Sequence, residues 1–416
     1  MSTQRRRNVT VGLMALAGVI AVVALALAGR SDRALVARLD PRLVDPHPVH
    51  PPRVATVKPP VVPTRPTVAP EPPRPVAEEK SPQVDLVFAV DTTGSMSGLL
   101  AGAKRKIWSI ANQVLSGQPK PHVRIGLIGY RDVGDAYVTR RYALSEEVDD
   151  VYKNLQGFEA AGGGDTPEHV NRALAEAIRN MQWRDGKDVL RLIFLVGDAP
   201  PHEGRGGLYS KELAREASQK GIVINAVRCG EMEETATAWR GIARVAGGMY
   251  ASIQQDGGMV AMATPHDRRL AELNRKLSAT LLPSGSGAEK DAARERARSN
   301  LSMDEVAQAE SATYRARRGA IDGADLLSKL GRGRALGGMA ARELPPQVAA
   351  LPAPARQAYV DRVARERKEV QEEIAKLAKA RDGYLKTRRK SVRSDAFDDK
   401  VGEALKAQGP KAGIAY

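Results

Sequence analysis

Between residues 83 and 282, short apolar strands alternate with amphipathic helices. This predicts an α/β domain on an open, doubly wound, mostly parallel sheet, followed by an α-helical region. Three observations carry the prediction. Val84–Val90, Val123–Tyr130 and Leu190–Val196 are continuous apolar runs rich in branched residues, as strands buried on both faces require. Segments with apolar residues at i, i+3 and i+4 separate them. The polar, turn-forming clusters fall directly after the apolar runs, where open parallel sheets place their ligands.

The elements follow in order. After the first strand, Leu99–Leu115 reads as a helix whose stripe includes Ala101, Ile107, Ile110, Ala111 and Val114. The second strand, Val123–Tyr130, precedes a helix near Glu146–Leu155. The loop Gly162–Glu168 leads into a helix over about His169–Met181, with Val170, Ala173, Leu174, Ala177 and Ile178 on one face. Leu190–Val196 is the most apolar strand. Leu213–Lys220 is helical, Gly221–Val227 a strand, Trp239–Ala246 a helix, and Gly248–Ile253 closes the sheet. A helix ending at Leu281 follows Ala263–Asp267.

Residues 1–30 carry an address. Arg5, Arg6 and Arg7 precede an uncharged run from Asn8 to Gly29, about the 20 residues that span a bilayer. The charge placement predicts an N-terminus inside and the remainder outside the cytoplasm. A cleaved signal peptide is the alternative, since Ala24-Leu25-Ala26 and Ala26-Leu27-Ala28 offer small-x-small sites. Either reading places the chain outside the cytoplasm, held by a single-pass membrane anchor or secreted. Residues 31–82 form a proline-rich linker, with Pro51-Pro52, Pro59-Pro60 and Pro72-Pro73. Proline favours extended geometry at about 3 Å per residue, a semi-rigid spacer.

Three polar segments carry the chemistry. Asp91-Thr92-Thr93-Gly94-Ser95 follows the first strand. Thr166 follows a triple glycine and Asp165. Asp198 follows the most apolar strand in Gly197-Asp198-Ala199-Pro200-Pro201-His202. Together they offer oxygen donors, which suit Mg²⁺, Mn²⁺ or Ca²⁺ rather than Zn²⁺. Each segment alone also fits a capped turn entering a helix, because Asp, Thr and Ser favour N-caps and proline the first turn. Asp165 and Glu168 read as capping residues, with added negative charge near the ion as the other reading, His202 as a surface loop residue, and Arg131-Asp132 as rim neighbours.

Asp91-x-Thr93-x-Ser95 with Thr166 and Asp198 resembles the metal-ion-dependent adhesion site of von Willebrand factor A domains. Thr93 replaces the commoner serine and keeps the hydroxyl. The resemblance spans about residues 83–282. It implies that Thr93 and Ser95 bind a divalent ion directly, that Thr166 does so directly or through water, and that Asp91 and Asp198 act through water and hydrogen bonds. Mg²⁺ is the first expectation, with Mn²⁺ or Ca²⁺ as alternatives. It also implies a binding module, with a partner protein's carboxylate completing the ion's shell.

Residues 283–416 form a helical, basic region. A flexible Pro283–Gly287 joint precedes helix from Ala288 to Arg318, a short helix over Ile321–Leu330, and a long helix from Ala355 to Val392. Tyr359, Val363, Val370, Ile374 and Leu377 give near-heptad spacing, as in a short coiled coil driving self-association. A helical subdomain packed on the sheet and a basic binding surface are the other readings. The formal net charge is +15, and residues 260–416 hold about ten more basic than acidic residues. That balance favours acidic partners, but nothing resembling a nucleic-acid-binding motif accompanies it. The single cysteine, Cys229, excludes an intramolecular disulfide and reads as structural. There is no phosphate-binding GxxxxGK[ST] loop, GxSxG elbow or HExxH motif, so the expectation is a non-enzyme. The alternative function is a structural or regulatory envelope component that binds through its helical region.

Overall fold

The structure, a computed structural model, describes residues 81–164, 166–259, 261–389 and 396–416. The described residues all belong to one compact unit. The N-terminal apolar run and almost all of the proline-rich segment lie outside them. Among the described residues, no helix is long and apolar enough to cross a membrane.

The sheet has six strands: β1 (Gln83–Asp91), β2 (His122–Tyr130), β3 (Thr139–Ser145), β4 (Val189–Gly197), β5 (Ile222–Cys229) and β6 (Tyr250–Ile253). Their order is β3-β2-β1-β4-β5-β6. All neighbours pair in parallel except β2 and β3, which are antiparallel. The doubly wound, mostly parallel sheet is as expected, but β3 is an addition. Thr139-Arg140-Arg141-Tyr142 carries two arginines and no apolar run. It is an edge strand with charges along it, a pattern that protects an open sheet edge.

Helices cover both faces. On one lie α1 (Ser97–Leu115) and α2 (Val148–Gln156). On the other lie α3 (Val170–Asn180), α4 (Ser210–Gln219) and α5 (Glu233–Val245). Alternation along β1 divides the two cores. Val84, Leu86, Phe88 and Val90 join the α1 side, while Val87 and Ala89 join the α3–α5 side. Chain order reverses on either side of β1: β2 follows on one flank, β4 on the other. The β1/β4 boundary is therefore the topological switch point, and Asp91 and Asp198 stand at the carboxyl ends of these two strands.

The remaining helices are α6 (Asp267–Ala279), α7 (Gly287–Leu301), α8 (Glu305–Arg318), α9 (Leu326–Gly331), α10 (Pro346–Ala349), α11 (Ala353–Arg389) and α12 (Phe397–Gln408). The helix expected over Ala288–Arg318 is two helices. Asp304 divides them, its side chain accepting from Ala307 N at 2.9 Å as the N-cap of α8. The near-heptad residues of α11 are used within the chain. Val370, Ile374 and Leu377 pack with Leu270, Leu273 and Leu277 of α6, and Tyr359 and Val363 pack with Leu282, Leu326 and Leu344. The α12 helix, absent from the sequence reading, inserts Phe397, Val401, Ala404 and Leu405 into the α1-side core.

Candidate metal centre

Asp91 is the last residue of β1 and fully buried. Its Oδ1 accepts from Thr93 N at 2.8 Å and Thr93 Oγ1 at 2.6 Å. Thr93 Oγ1 lies 3.2 Å from Ser95 Oγ. The first segment thus presents two adjacent hydroxyls, that of Thr93 held by the Asp91 carboxylate and that of Ser95 in contact with Thr93, ahead of the start of α1. It does not cap α1, since neither Thr93 nor Met96 makes a side-chain cap bond.

The glycine loop folds over this segment. Gly94 N donates to Gly162 O at 3.1 Å and Ala161 N to Thr92 O at 3.1 Å. Asp135 accepts from Gly163 N with both oxygens at 3.2 Å. Gly162 and Gly163 take φ of 76° and 72°, and a Cβ on Gly162 would overlap the Asp135 carboxylate. Only glycine suits that packing. The loop then pairs with the third segment: Glu168 N donates to Pro200 O at 3.0 Å and His202 N to Glu168 O at 3.1 Å. Helix α3 begins at Val170 with His169 as its N-cap, so neither Thr166 nor Glu168 caps it. Asp165 lies outside the described residues.

Asp198 stands just beyond β4. Its Oδ2 accepts from Gln255 Nε2 at 2.6 Å, and its carbonyl accepts from Thr235 Oγ1 at 2.8 Å. Gln255 Nε2 also reaches Ser95 O at 3.3 Å. One cleft of about 540 Å³ is lined by Thr93, Ser95, Thr166, Glu168 and Asp198, with the Gly162–Gly164 loop and Gln255. Four of the five expected site residues line this cleft, and Asp91 lies beneath, bonded to Thr93. Gln255 is a site residue that no motif pointed to, and Glu168 lines the cleft instead of capping α3. Gln255 sits after β6 with no motif around it. Glu168 follows Thr166 by two residues, but its glutamate type also suited a capping role.

The electrostatics ask for a cation. Among the described residues, no lysine or arginine forms an ion pair with Asp91, Glu168 or Asp198. Asp91 Oδ2 and Glu168 Oε2 are enclosed without hydrogen-bond partners. Burial first, and then the Asp198 charge, push the Asp91 carboxyl up to about 7 against the Thr93 bonds that lower it. Burial and the Asp91, Asp132, Asp135 and Asp198 charges push Glu168 up to about 8. Unpaired buried carboxylates beside hydroxyls fit a hard divalent ion, which would supply the missing positive charge. Among the described residues, no three His, Cys, Asp or Glu side chains group as a metal cage.

On the rim, His202 Nε2 lies 2.9 Å from Asp132 Oδ2, and Arg205 Nη1 lies 3.5 Å from Asp132 Oδ1. Half-buried His202 therefore organises the loop after β4 rather than standing free on the surface. Arg131 is buried and donates to Thr92 O at 3.0 Å and Glu159 O at 2.6 Å, bracing the first loop. Cys229 lies at the cleft with its side chain buried, and burial pushes its thiol well above the usual range. It remains a protonated thiol, which is a poor nucleophile.

Two expected results follow from this geometry. A Cβ on Gly197 would stand 2.3 Å from Tyr130 Oη, 2.9 Å from Asp91 Cβ and 3.1 Å from Asp91 Oδ2. Gly197→Ala should destabilise the fold by about 1–3 kcal/mol and weaken ion binding, read by urea unfolding and ion titration. Unchanged ion affinity would show that Asp91 is not held in place through this contact. The second result concerns pH. The Asp91 carboxyl, at about 7, titrates well above an ordinary aspartate at about 3.9. Its proton-linked stability is therefore complete below about pH 4 and is lost as pH rises through about 7. In EDTA the melting temperature should fall over that window. With Mg²⁺ the fall should be smaller or reversed, because the ion binds the carboxylate form.

A family model described as the von Willebrand factor A domain matches residues 85–264. An ariadne-like RING finger protein of Acanthamoeba polyphaga mimivirus is 30% identical over 122 residues, which is 29% of this chain and 11% of that protein. The alpha-protein kinase vwkA of Dictyostelium discoideum is 29% identical over 121 residues, 29% of this chain and 19% of that protein. The chain thus spans less than a fifth of the length of either curated relative. Among solved structures, BatB from Bacteroides thetaiotaomicron is 18% identical with a TM-score of 0.34, covering 41% of this chain and 90% of that one. The SpRpn10 VWA domain is 14% identical with a TM-score of 0.34, covering 43% and 91%. Proximal thread matrix protein 1 from the mussel byssus, in a form with a zinc-occupied MIDAS motif, is 14% identical with a TM-score of 0.34, covering 42% and 43%. Strand order, the three loops gathered at the switch point and the family match lead to one assignment: residues 85–264 of this chain form a von Willebrand factor A domain.

Proposed function

We propose that the domain holds one divalent ion through Thr93, Ser95 and Thr166, with Asp91 and Asp198 behind them, and uses it to bind a carboxylate of a partner protein. The observation that carries this reading is the enclosed, unpartnered Asp91 Oδ2 beneath two clustered hydroxyls, in a cleft whose carboxylates pair with no cationic side chain among the described residues. Domains of this family are commonly metal-dependent protein-interaction modules, which supports the reading. Mg²⁺ is the proposed ion, with Mn²⁺ and Ca²⁺ next, since hydroxyl and carboxylate oxygens suit hard cations. Within this reading Asp91 orients the Thr93 hydroxyl, Gln255 orients Asp198, and no residue acts as a catalyst. The charged N-terminal segment Arg5–Arg7 and the apolar run after it support a location outside the cytoplasm, anchored by a single-pass helix or secreted.

The test uses the immobilised full-length chain and an envelope extract. Capture should need Mg²⁺, be lost in EDTA, and be lost in Asp91→Ala and Thr93→Ala variants that still fold by circular dichroism. Capture that survives both EDTA and Asp91→Ala would overturn the adhesion reading and favour binding through the helical region. Metal-dependent turnover abolished by Asp198→Ala would overturn the non-enzyme reading.

A further inference from the structure

The five residues of the ion site do not account for Glu168. It is 3% exposed, lines the same cleft as Thr93, Ser95, Thr166 and Asp198, and keeps Oε2 enclosed without a hydrogen-bond partner. No lysine or arginine among the described residues pairs with it. Its main chain is fixed at both ends of the residue: N–H donates to Pro200 O, and its carbonyl accepts from His202 N. Gly163 separates it from Thr93. A Cβ on Gly163 would stand 3.1 Å from Thr93 Cβ and 3.5 Å from Glu168 Oε1. The Glu168 carboxylate and the Thr93 side chain therefore flank the same glycine. A buried carboxylate left without donor or counter-charge is costly, and its neighbours here are other carboxylates.

We propose that Glu168 serves the ion as a third carboxylate, accepting hydrogen bonds from ion-bound water and helping to neutralise the dication. This rests on the ion site proposed above. It deepens that reading: the loaded site would then carry three carboxylates against two positive charges. A partner's carboxylate would have to displace water that Glu168 holds, which makes Glu168 a positioning residue that sets both ion affinity and the ease of exchange. Three carboxylates also favour tighter binding of the ion itself, since ligand charge count tunes affinity.

Calorimetric titration of the full-length chain in detergent with Mg²⁺, Mn²⁺ or Ca²⁺ alone tests this, using wild type, Glu168→Gln, Glu168→Asp and Asp198→Asn. Glu168→Gln should weaken ion binding about ten-fold, and Glu168→Asp should recover part of the loss. In EDTA the melting temperature of Glu168→Gln should equal or exceed that of wild type, because a neutral amide replaces an unpaired buried carboxyl. A merely structural glutamate would instead lower stability in EDTA and in ion alike. Ion affinity of Glu168→Gln within two-fold of wild type, while Asp198→Asn loses binding, would overturn the role of Glu168 and leave the ion site standing. Absence of ion binding by wild type would overturn both.

Discussion

Phe397→Ala is expected to destabilise the protein by about 3–5 kcal/mol, the usual result of emptying a buried phenylalanine site. The ring is 3% exposed and lies between two sheet phenylalanines, 5.9 Å from Phe88 and 6.3 Å from Phe194, edge-on to both. A cavity of about 20 Å³ already borders it, lined by Leu99, Ile107, Leu127 and Val196. Truncation would enlarge this void, and the rigid strands on one side could not collapse into it. The same helix start is tied to the sheet domain by Phe397 N donating to Gly257 O at 3.1 Å and by the buried Lys106–Asp398 pair at 3.1 Å. Urea unfolding of wild type and Phe397→Ala measures the loss. A change below about 1 kcal/mol would mean that α12 is not part of the cooperative unit. The packing has a practical consequence. Removing residues 284–416 would strip Phe397, Val401, Leu405 and Ile414 from the α1-side core, so that truncation should unfold the sheet domain rather than isolate it.

Arg315→Ala should cost about 3–5 kcal/mol, because it strands a buried carboxylate. Arg315 is 2% exposed and Asp149 7% exposed. Arg315 Nη2 reaches both Asp149 oxygens, at 3.0 and 2.9 Å, and Nη1 reaches Ser278 Oγ at 3.3 Å. Without Arg315, Asn300 Nδ2 at 2.8 Å would be the donor left to Asp149 among the side-chain bonds described. The pair joins α2 of the sheet domain to α8, with α6 and α7 contributing Ser278 and Asn300. Asp149→Leu combined with Arg315→Met should be less destabilised than Arg315→Ala alone, since no buried charge is then unpaired. A double-mutant cycle by urea unfolding reads the coupling. Equal losses in the single and double variants would show that packing, not charge, holds this junction.

Much of the sheet was legible because its strands are buried on both faces. Val84–Val90, Leu190–Val196 and Ile222–Val227 read as apolar runs for that reason. The edge strand Thr139–Ser145 was not, because a solvent-facing edge tolerates Arg140 and Arg141, and arginines mask the strand signal. The α12 helix had a signal that was available: Phe397, Val401, Ala404 and Leu405 stand at i, i+4, i+7 and i+8. Its shortness and the polar stretch around it hid it. The division of α7 from α8 was also written locally, in Asp304 as an N-cap.

For the site, the donor types and their order are legible in the residues alone: Asp91, Thr93 and Ser95 within one turn, then Thr166, then Asp198, each after a strand or a glycine loop. Local chemistry suffices there, because a strand end followed by short polar residues presents oxygens whatever the rest of the chain does. Only the tertiary structure decided which strands adjoin, and so that Asp91 and Asp198 flank one switch point although 107 positions separate them. It also places Gln255 and Glu168 in the same cleft, and packs Val370, Ile374 and Leu377 of α11 against α6. These outcomes depend on which surfaces the whole chain can bury together. That is set by the packing of distant segments, which no single segment's composition contains.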